Sequence, residues 1–344
     1  MKTSYLQDLK DIDPKNGSYL IGFLEKNFPN NPVIDGGATE IRNDLEYPGD
    51  SIFYVDDEAW VNTWLTKPFD TCDFLTKNNS HTTIVKIRRF YEKFHTTSSC
   101  VLFPWWHIVD DAISLYLLGE KAEIRLPSKQ NLAFSCFNRN WTKERQQLIG
   151  LLGAYDLLNQ GWVTAHAYSY SRPEGVRESD LDHYRLESDY AFERHQSVMQ
   201  GVSASANVIN YLHISSRHMQ PINIACETFV SPFFPTEKSF LGFFTKRLPI
   251  IIAECGRIKD LREQGFDMFD DIIDHGYDSI EDSHQKIDYA IKHNISLLKN
   301  PLDLNDSLSQ RLTSNFQHLT NTWLDAKLVE LVSLINHSAH TWKR

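Results

Sequence analysis

The segment that most constrains the fold of this chain is residues 221–256, whose pattern is typical of a strand, a loop, a helix and a second strand. Residues 222–226 and 249–253 are short apolar runs, which favour strands buried on both faces of a parallel sheet. Between them prolines break the chain, Thr236 stands at a helix N-cap position, and three phenylalanines follow at helical spacing. Because crossovers between parallel strands are right-handed, we expect the loop and the helix start at the carboxyl edge of the sheet, where α/β proteins bind ligands.

Two charged residues, Glu237 and Lys238, occupy the first turn of this predicted helix. Backbone N–H groups in a first helical turn lack intrahelical partners and favour an anion. Glu237 suits the helix dipole, whereas Lys238 opposes it and would be stabilised by contact with a phosphate group. A capped surface helix with ordinary solvated charges fits the same spacing, so the spacing alone leaves both interpretations open.

A second strand–helix–strand pattern precedes this segment. Residues 132–137 read as a buried strand, Thr142 as the N-cap of the helix that follows, and residues 162–165 as the next strand. Arg139 and Arg145 stand beside the turn between the first strand and the helix, where an arginine can clamp a diphosphate with two N–H donors. An ion pair on the helix surface is the alternative interpretation of these arginines.

The residues of the first segment resemble the donor-binding region of the α-1,3-fucosyltransferase family. The matching stretches are Thr236-Glu237-Lys238 for the family's Thr-Glu-Lys, Cys226-Glu227-Thr228 for its Glu-Asn, and Leu248-Pro249-Ile250-Ile251 for its Val-Pro-Val-Val. The chain is also similar to phage-encoded glycosyltransferases in which Gly-Phe and Asp-x-x-Tyr-Asp follow, the latter here as Asp274-x-x-Tyr277-Asp278. Thr228 and Pro235 depart from the family pattern, and the resemblance covers the second half of the chain.

This resemblance implies an α/β fold with two Rossmann-like domains facing a cleft, the GT-B arrangement of glycosyltransferases. It also implies a nucleotide-sugar donor and an inverting reaction that needs no metal or other cofactor. Lys238, with Arg145 or Arg139, would neutralise the diphosphate leaving group, and Glu237 and Glu227 would accept hydrogen bonds from ribose or sugar hydroxyls. The expected donor-binding set is completed by Thr236 and Asn138.

The first part of the chain alternates predicted strands (residues 51–55, 82–87 and 100–103) with predicted helices. Residues 104–107, Pro-Trp-Trp-His, follow the third strand, and such aromatic residues suit either a sugar-stacking acceptor site or a cap on the core. An inverting enzyme needs a carboxylate to deprotonate the acceptor hydroxyl. The candidates for that base are Asp110, Asp111 and Asp57.

At 344 residues the chain exceeds the usual length of one domain. We predict an acceptor-side α/β domain over residues 1–125 and a nucleotide-sugar-binding domain over residues 126–300. A C-terminal helical segment, residues 301–344, is expected to pack near the interdomain surface.

The net charge of −10 argues against a general polyanion binder, although a local basic strip remains compatible with it. Five scattered cysteines without a Cys-x-x-Cys pair predict reduced thiols and no zinc framework. No apolar run reaches the ~18 residues that a membrane span needs, so we predict a cytoplasmic protein without a membrane span. Neither a P-loop nor a Gly-x-Gly-x-x-Gly motif occurs, which argues against a nucleotide-binding kinase or hydrolase.

The sequence therefore predicts a glycosyltransferase that uses a GDP- or UDP-linked sugar. The acceptor stays open between a glycan and a hydroxymethylated base in phage DNA. The alternative is a noncatalytic sugar- or nucleotide-binding protein of the same fold. The sequence does not determine the sugar or the oligomeric state.

Overall fold

The computed structural model of the chain describes residues 4–15, 18–31, 33–35, 51–55, 82–85, 100–119, 132–138, 142–165, 220–227 and 236–341. The chain forms two compact units. The first unit contains Met1–Leu117 and Leu324–Arg344, and the second contains Leu118–Trp323.

The described strands are β1 (Val33–Asp35), β2 (Ile52–Val55), β3 (Thr82–Val85), β4 (Cys100–Leu102), β5 (Phe134–Asn138), β6 (Gly161–Ala165), β7 (Ile222–Cys226) and β8 (Leu248–Ile252). The described α-helices are α1 (Leu6–Leu9), α2 (Tyr19–Asn27), α3 (Trp106–Leu118), α4 (Lys143–Ala154), α5 (Glu237–Phe244), α6 (Arg257–Glu263), α7 (Ser283–His293), α8 (Ile295–Lys299), α9 (Asp306–His318) and α10 (Leu324–Thr341). Two short 3₁₀ helices and a π-helical stretch complete the described elements: Leu158–Gln160, Gly276–Ser279 and Leu319–Trp323.

The first unit is built on a parallel sheet whose described strands follow the order β1-β2-β3-β4. Helix α10 packs against β3 and β4, and α2 packs against β1. Phe23 of α2, Phe103 after β4 and Val109 of α3 are fully buried, so these helices contribute the apolar side chains of this core.

The second unit contains a parallel sheet of order β6-β5-β7-β8. The strands expected over residues 132–137, 222–226 and 249–253 are present within a few residues of those bounds and lie side by side, which confirms the mixed α/β class and the parallel pairing. Helix α5 packs on β7 and β8, with Gly242 so close to Pro249 that an added Cβ would lie 3.0 Å from the proline Cβ. Helices α4 and α7 pack against each other and contact β7 and β8, respectively.

An aromatic cluster supports α5 in the second unit. Phe240 and Phe243, two residues of the predicted apolar stripe, are buried. The Phe243 ring stacks on Phe266 with 4.5 Å between centroids, and Phe240 lies 5.4 Å from the Trp323 ring. Aromatic pairs at these distances add to the free energy gained from burial alone. The helix that carries Glu237 and Lys238 is therefore firmly anchored on its inner face.

Across the described part of the chain, no helix combines the length and the apolar character needed to cross a bilayer.

Candidate functional site

The order of the strands in the second sheet changes direction between β5 and β7. The chain passes from β5 to β6 on one side and then returns to β7 on the other side of β5. At such a reversal, the connections that leave the two strands diverge to opposite sides, which opens a crevice at their carboxyl ends. Asn138 is the last residue of β5, and Glu227 directly follows β7. The predicted donor-binding residues Asn138 and Glu227 thus stand at this reversal.

Arg145 lies in the first turn of α4 and is fully buried. The hydroxyl of Thr142 accepts a hydrogen bond from the Arg145 backbone N–H, which confirms the predicted N-cap. The guanidinium donates from Nε and Nη2 to the carbonyl oxygen of Cys226, at 3.1 and 3.0 Å. Arg145 therefore ties α4 to the end of β7 and places a buried positive charge beside Glu227.

Glu227 is fully buried, and four hydrogen bonds join its carboxylate to the start of α5. Its Oε1 accepts from the backbone N–H groups of Thr236 and Ser239, at 3.3 and 3.2 Å. The hydroxyls of the same two residues donate short hydrogen bonds to Oε2 and Oε1, respectively. The carboxylate thus occupies the position that an anion takes at a helix N-terminus.

The expectation that the first turn of α5 offers free N–H groups to a ligand is therefore wrong for two of these groups. The Ser239 N–H meets Glu227, and the Lys238 N–H donates to the hydroxyl of Thr236, at 3.2 Å. Thr236 caps the helix as predicted. The sequence also predicts that Glu227 accepts hydrogen bonds from ribose or sugar hydroxyls, and in the structure its carboxylate accepts four hydrogen bonds from Thr236 and Ser239.

Lys238 and Glu237 lie in the first turn of α5, as the sequence predicts, and form an ion pair with each other. The Lys238 Nζ lies 3.0 Å from Glu237 Oε1, and the two side chains are 20% and 42% exposed. A pair this close to solvent contributes little to stability. Of the two described cations in the predicted donor-binding set, Lys238 is the accessible one, whereas Arg145 is enclosed.

A second group of charges, at the end of β8, was not predicted from the sequence. Glu254 forms a close ion pair with Arg257 in the first turn of α6, and Lys286 of α7 donates from Nζ to the carbonyl oxygen of Ala253, at 2.8 Å. Burial lowers the pKa of Lys286, which is 1% exposed. Burial also raises the pKa of Glu254, and Glu227 adds to this, while Arg257 and Lys286 oppose it. The sequence feature that could have identified Glu254 is its place directly after the apolar run of residues 249–253.

The Asp274-x-x-Tyr277-Asp278 motif supports this same edge of the sheet. The Asp278 carboxylate accepts from the N–H groups of Ile258 and Lys259, at 2.9 and 3.1 Å, and so caps α6. Tyr277 is buried, and Asp274 accepts from the N–H of Gly276 at 2.8 Å. The motif therefore has a structural role here: it holds the helix that carries Arg257.

Asp110, a candidate catalytic base, lies in the first unit on α3 and is 8% exposed. Its Oδ1 accepts from the Ser18 hydroxyl at 3.0 Å and from the Leu20 N–H at 2.8 Å, so it stabilises the start of α2. Burial is the main cause of its raised pKa. The neighbouring candidate Asp111 is buried as well. Asp57 and Arg139 lie outside the described residues.

Within the described ranges, no three His, Cys, Asp or Glu side chains are grouped so that they could hold a metal ion. Comparison of the chain with family models, with curated proteins and with solved structures found no match in any of the three.

Proposed function

We propose that this chain is a glycosyltransferase that moves a sugar from a GDP- or UDP-linked donor to an acceptor hydroxyl. The observation that supports the proposal is the gathering of Arg145, Glu227 and Lys238 around the strand reversal of the second sheet. Contacts run without a break from α4, through Arg145, to the carbonyl of Cys226, and from Glu227 to the first turn of α5. The assignment of donor binding to this arrangement rests on the resemblance of Thr236-Glu237-Lys238 to the Thr-Glu-Lys of the α-1,3-fucosyltransferase family.

Lys238 would contact the diphosphate of the donor. Its ammonium group is partly exposed and, within the ranges that the structure describes, is paired with Glu237, which a phosphate can replace. As the bond to the sugar breaks, negative charge grows on the diphosphate, and a cation held nearby stabilises that change more than it stabilises the bound donor. Arg145 would add a buried positive charge at a fixed position without direct contact.

The two Rossmann-like domains of the GT-B arrangement belong to this proposal, as does the inversion of the sugar carbon. In that mechanism, a carboxylate removes the proton of the acceptor hydroxyl while the hydroxyl oxygen attacks the sugar. The candidates for this base are Asp110, Asp111 and Asp57, and Asp110 is the one whose carboxylate contacts are given above. Because Asp110 already accepts two hydrogen bonds at the start of α2, its replacement tests structure and catalysis together.

The acceptor is either a glycan or a hydroxymethylated base in phage DNA. The test is to incubate the purified full chain with a panel of nucleotide-sugars, offering hydroxymethylated DNA and lipid-linked glycans separately, and to follow release of the nucleoside diphosphate. We expect one donor to be consumed with one acceptor, and we expect turnover to persist in EDTA. If EDTA removes activity and manganese restores it, the metal-independent mechanism is wrong.

The noncatalytic alternative is separated by the same assay. A sugar- or nucleotide-binding protein would bind a donor in a calorimetric titration without transferring or slowly hydrolysing it. If no nucleotide-sugar in the panel binds at all, the proposed function is wrong in both forms.

A further inference from the structure

Ser239, a residue not predicted to belong to the site, follows Lys238 in the first turn of α5. It is fully buried, and both its backbone N–H and its hydroxyl donate hydrogen bonds to Oε1 of Glu227, the N–H at 3.2 Å. Thr236 donates to the same carboxylate from its own N–H and hydroxyl. One carboxylate therefore holds the chain on both sides of Lys238.

The peptide group that leads into Glu227 is itself fixed at both ends. Its N–H, which belongs to Glu227, donates to the carbonyl oxygen of Ile252 at 3.0 Å and so continues the pairing of β7 with β8. Its oxygen, which belongs to Cys226, accepts two hydrogen bonds from the Arg145 guanidinium, at 3.1 and 3.0 Å. The carboxylate that holds the start of α5 is thus mounted on a peptide group bonded to both α4 and β8.

The backbone of Lys238 is more tightly held than its side chain. Its N–H donates to the Thr236 hydroxyl at 3.2 Å, whereas its side chain is 20% exposed and pairs with Glu237. A lysine side chain is flexible, so the region that its ammonium group can reach depends on where the helix holds its backbone. A shift of about 1 Å in a group that orients a reacting substrate can lower the rate about 10²-fold.

Three residues that connect the sheet to α5 are enclosed by the protein. The side chains of Ser239, Glu227 and Arg145 are all 0% exposed, so a bound donor would meet Lys238 rather than any of these three. We propose that Ser239 is a positioning residue of the donor site, which acts on the donor through Lys238 by way of its hydrogen bonds to Glu227. This inference rests on the proposed function, because Lys238 is the cation assigned to the diphosphate.

The experiment is a double-mutant cycle in the full chain. Ser239→Ala removes the hydroxyl that donates to Glu227 but leaves the backbone N–H in place, so only part of the attachment is lost. This substitution is made alone and together with Lys238→Ala, and kcat and the donor KM are measured for the GDP- or UDP-linked sugar that the wild-type chain transfers. Urea titrations establish that each variant is folded. Ser239→Cys, which offers a weaker donor in a similar volume, replaces Ser239→Ala if the latter does not fold.

The matched control is Ser135→Ala in the same unit. Ser135 is also 0% exposed, and its hydroxyl donates to the carbonyl oxygen of Ile222 at 3.3 Å. Ile222 is the first residue of β7, whereas Glu227 follows the carboxyl end of that strand. The control therefore removes a buried serine hydroxyl at the other end of β7, and it reports what a loss of stability alone does to turnover.

We expect Ser239→Ala to lower kcat/KM by about tenfold or more, and mainly through kcat, because contact with the diphosphate strengthens as the bond to the sugar breaks. In the Lys238→Ala background the same substitution should lower kcat/KM by less than about twofold, since the group that it positions is gone. Ser135→Ala should stay within about twofold of the wild-type kcat/KM, because its hydrogen bond does not involve the start of α5.

Three results would overturn the inference and leave the proposed function standing. These are losses of kcat/KM that multiply in the double variant, undiminished turnover in a folded Ser239 variant, and an equal loss of kcat/KM in Ser135→Ala. If Lys238→Ala turns over as fast as the wild-type chain, the role proposed for Lys238 is wrong and the inference is overturned with it. If the wild-type chain transfers no sugar from any donor, both the proposed function and the inference are overturned.

Discussion

The two parallel sheets of this protein differ in the order of their described strands, and they also differ in the charged residues found at their carboxyl edges. In the described part of the first sheet the order is β1-β2-β3-β4, so successive connections all step in one direction. In the second sheet the order β6-β5-β7-β8 contains a reversal. The two sheets are both parallel and have the same number of described strands. A reversal of strand order sends the connections on its two sides in opposite directions, which opens a crevice at the carboxyl ends of the strands.

Among the described residues, four charged residues that are at most 1% exposed lie around the carboxyl edge of the second sheet: Glu227, Arg145, Arg257 and Lys286. Arg247 and Asp111 are equally buried, the first before β8 at the opposite edge and the second on α3 of the first unit. In the first unit, the described Asp110 is engaged at the start of a helix and stabilises local structure. Burying charge is costly unless it is paired, so a concentration of such residues at one edge is a feature of functional sites. The four predictions below test this contrast between the two units.

The largest effect is expected for Glu227→Ala in the second unit. The substitution leaves the buried N–H groups and hydroxyls of Thr236 and Ser239 without their acceptor, and each such group costs about 1–3 kcal/mol. We expect the free energy of unfolding to fall by about 3 kcal/mol or more in urea titrations. The exposed Glu263→Ala should change it by about 0.5 kcal/mol at most. A loss below 1 kcal/mol for Glu227→Ala would contradict the structural role of this carboxylate.

The next effect concerns turnover. Lys238→Ala should lower kcat/KM by about 10²-fold or more, as for removal of one preorganised group that stabilises transition-state charge. Lys238→Arg should restore little, because a planar guanidinium does not replace a compact ammonium. Stability should change by less than about 1 kcal/mol, since the Lys238–Glu237 pair is partly exposed. Steady-state kinetics with donor and acceptor varied separately provide the measurement.

The control for Lys238 is Lys259→Ala. Lys259 is 69% exposed on α6 and pairs with Glu263, so its removal takes away an equal charge from the same unit. Equal losses of kcat/KM in both variants would show that Lys238 acts only through net charge. Undiminished turnover in Lys238→Ala would remove the basis of the proposed mechanism.

A smaller effect is expected in the first unit, for Asp110→Ala. The Ser18 hydroxyl and the Leu20 N–H lose their acceptor, and we expect a loss of about 2 kcal/mol in the free energy of unfolding. Asp110→Asn should lose less, because both of these bonds end on a single oxygen that the amide retains. The two variants also separate structure from catalysis: a stable Asp110→Asn that has lost turnover would identify Asp110 as the base.

The smallest effect is the pH dependence of that same carboxyl group. Burial raises the pKa of Asp110 above its ordinary value of 3.8, while hydrogen bonds and His107 act in the opposite direction. A raised pKa in the folded state means that Asp110 favours folding most when it is protonated, and that this contribution falls as the pH rises through the folded-state pKa. The wild-type chain should therefore gain stability relative to Asp110→Asn between pH 7.5 and pH 4.5. Paired urea titrations at the two pH values measure this difference, and a relative loss at pH 4.5 would contradict it.

Much of the second unit follows from the sequence because its signals are local. Apolar runs identify β5, β7 and β8, and Thr142 and Thr236 cap their helices as their side-chain chemistry predicts. The position of Lys238 in the first turn of α5 follows from the same local pattern.

The remaining features depend on contacts between distant residues. The link from Arg145 to Cys226 joins residues 81 apart, and the link from Lys286 to Ala253 joins residues 33 apart. Glu227 illustrates the limit most clearly. Its position was predicted, but the sequence could not show that its carboxylate would accept hydrogen bonds from Thr236 and Ser239, since these residues lie 9 and 12 positions away in the chain.

The contact between Glu227 and Thr236 has a consequence for how this protein can vary. The carboxylate of Glu227, which directly follows β7, accepts hydrogen bonds from the backbone N–H and the hydroxyl of Thr236, so one side chain joins two positions that lie nine residues apart in the sequence. The entropy of closing a loop rises only slowly with its length, so a fixed closure tolerates replacement of the residues between its ends. Sequence changes between these two positions should therefore leave Lys238 in place, provided that Glu227 and Thr236 are kept.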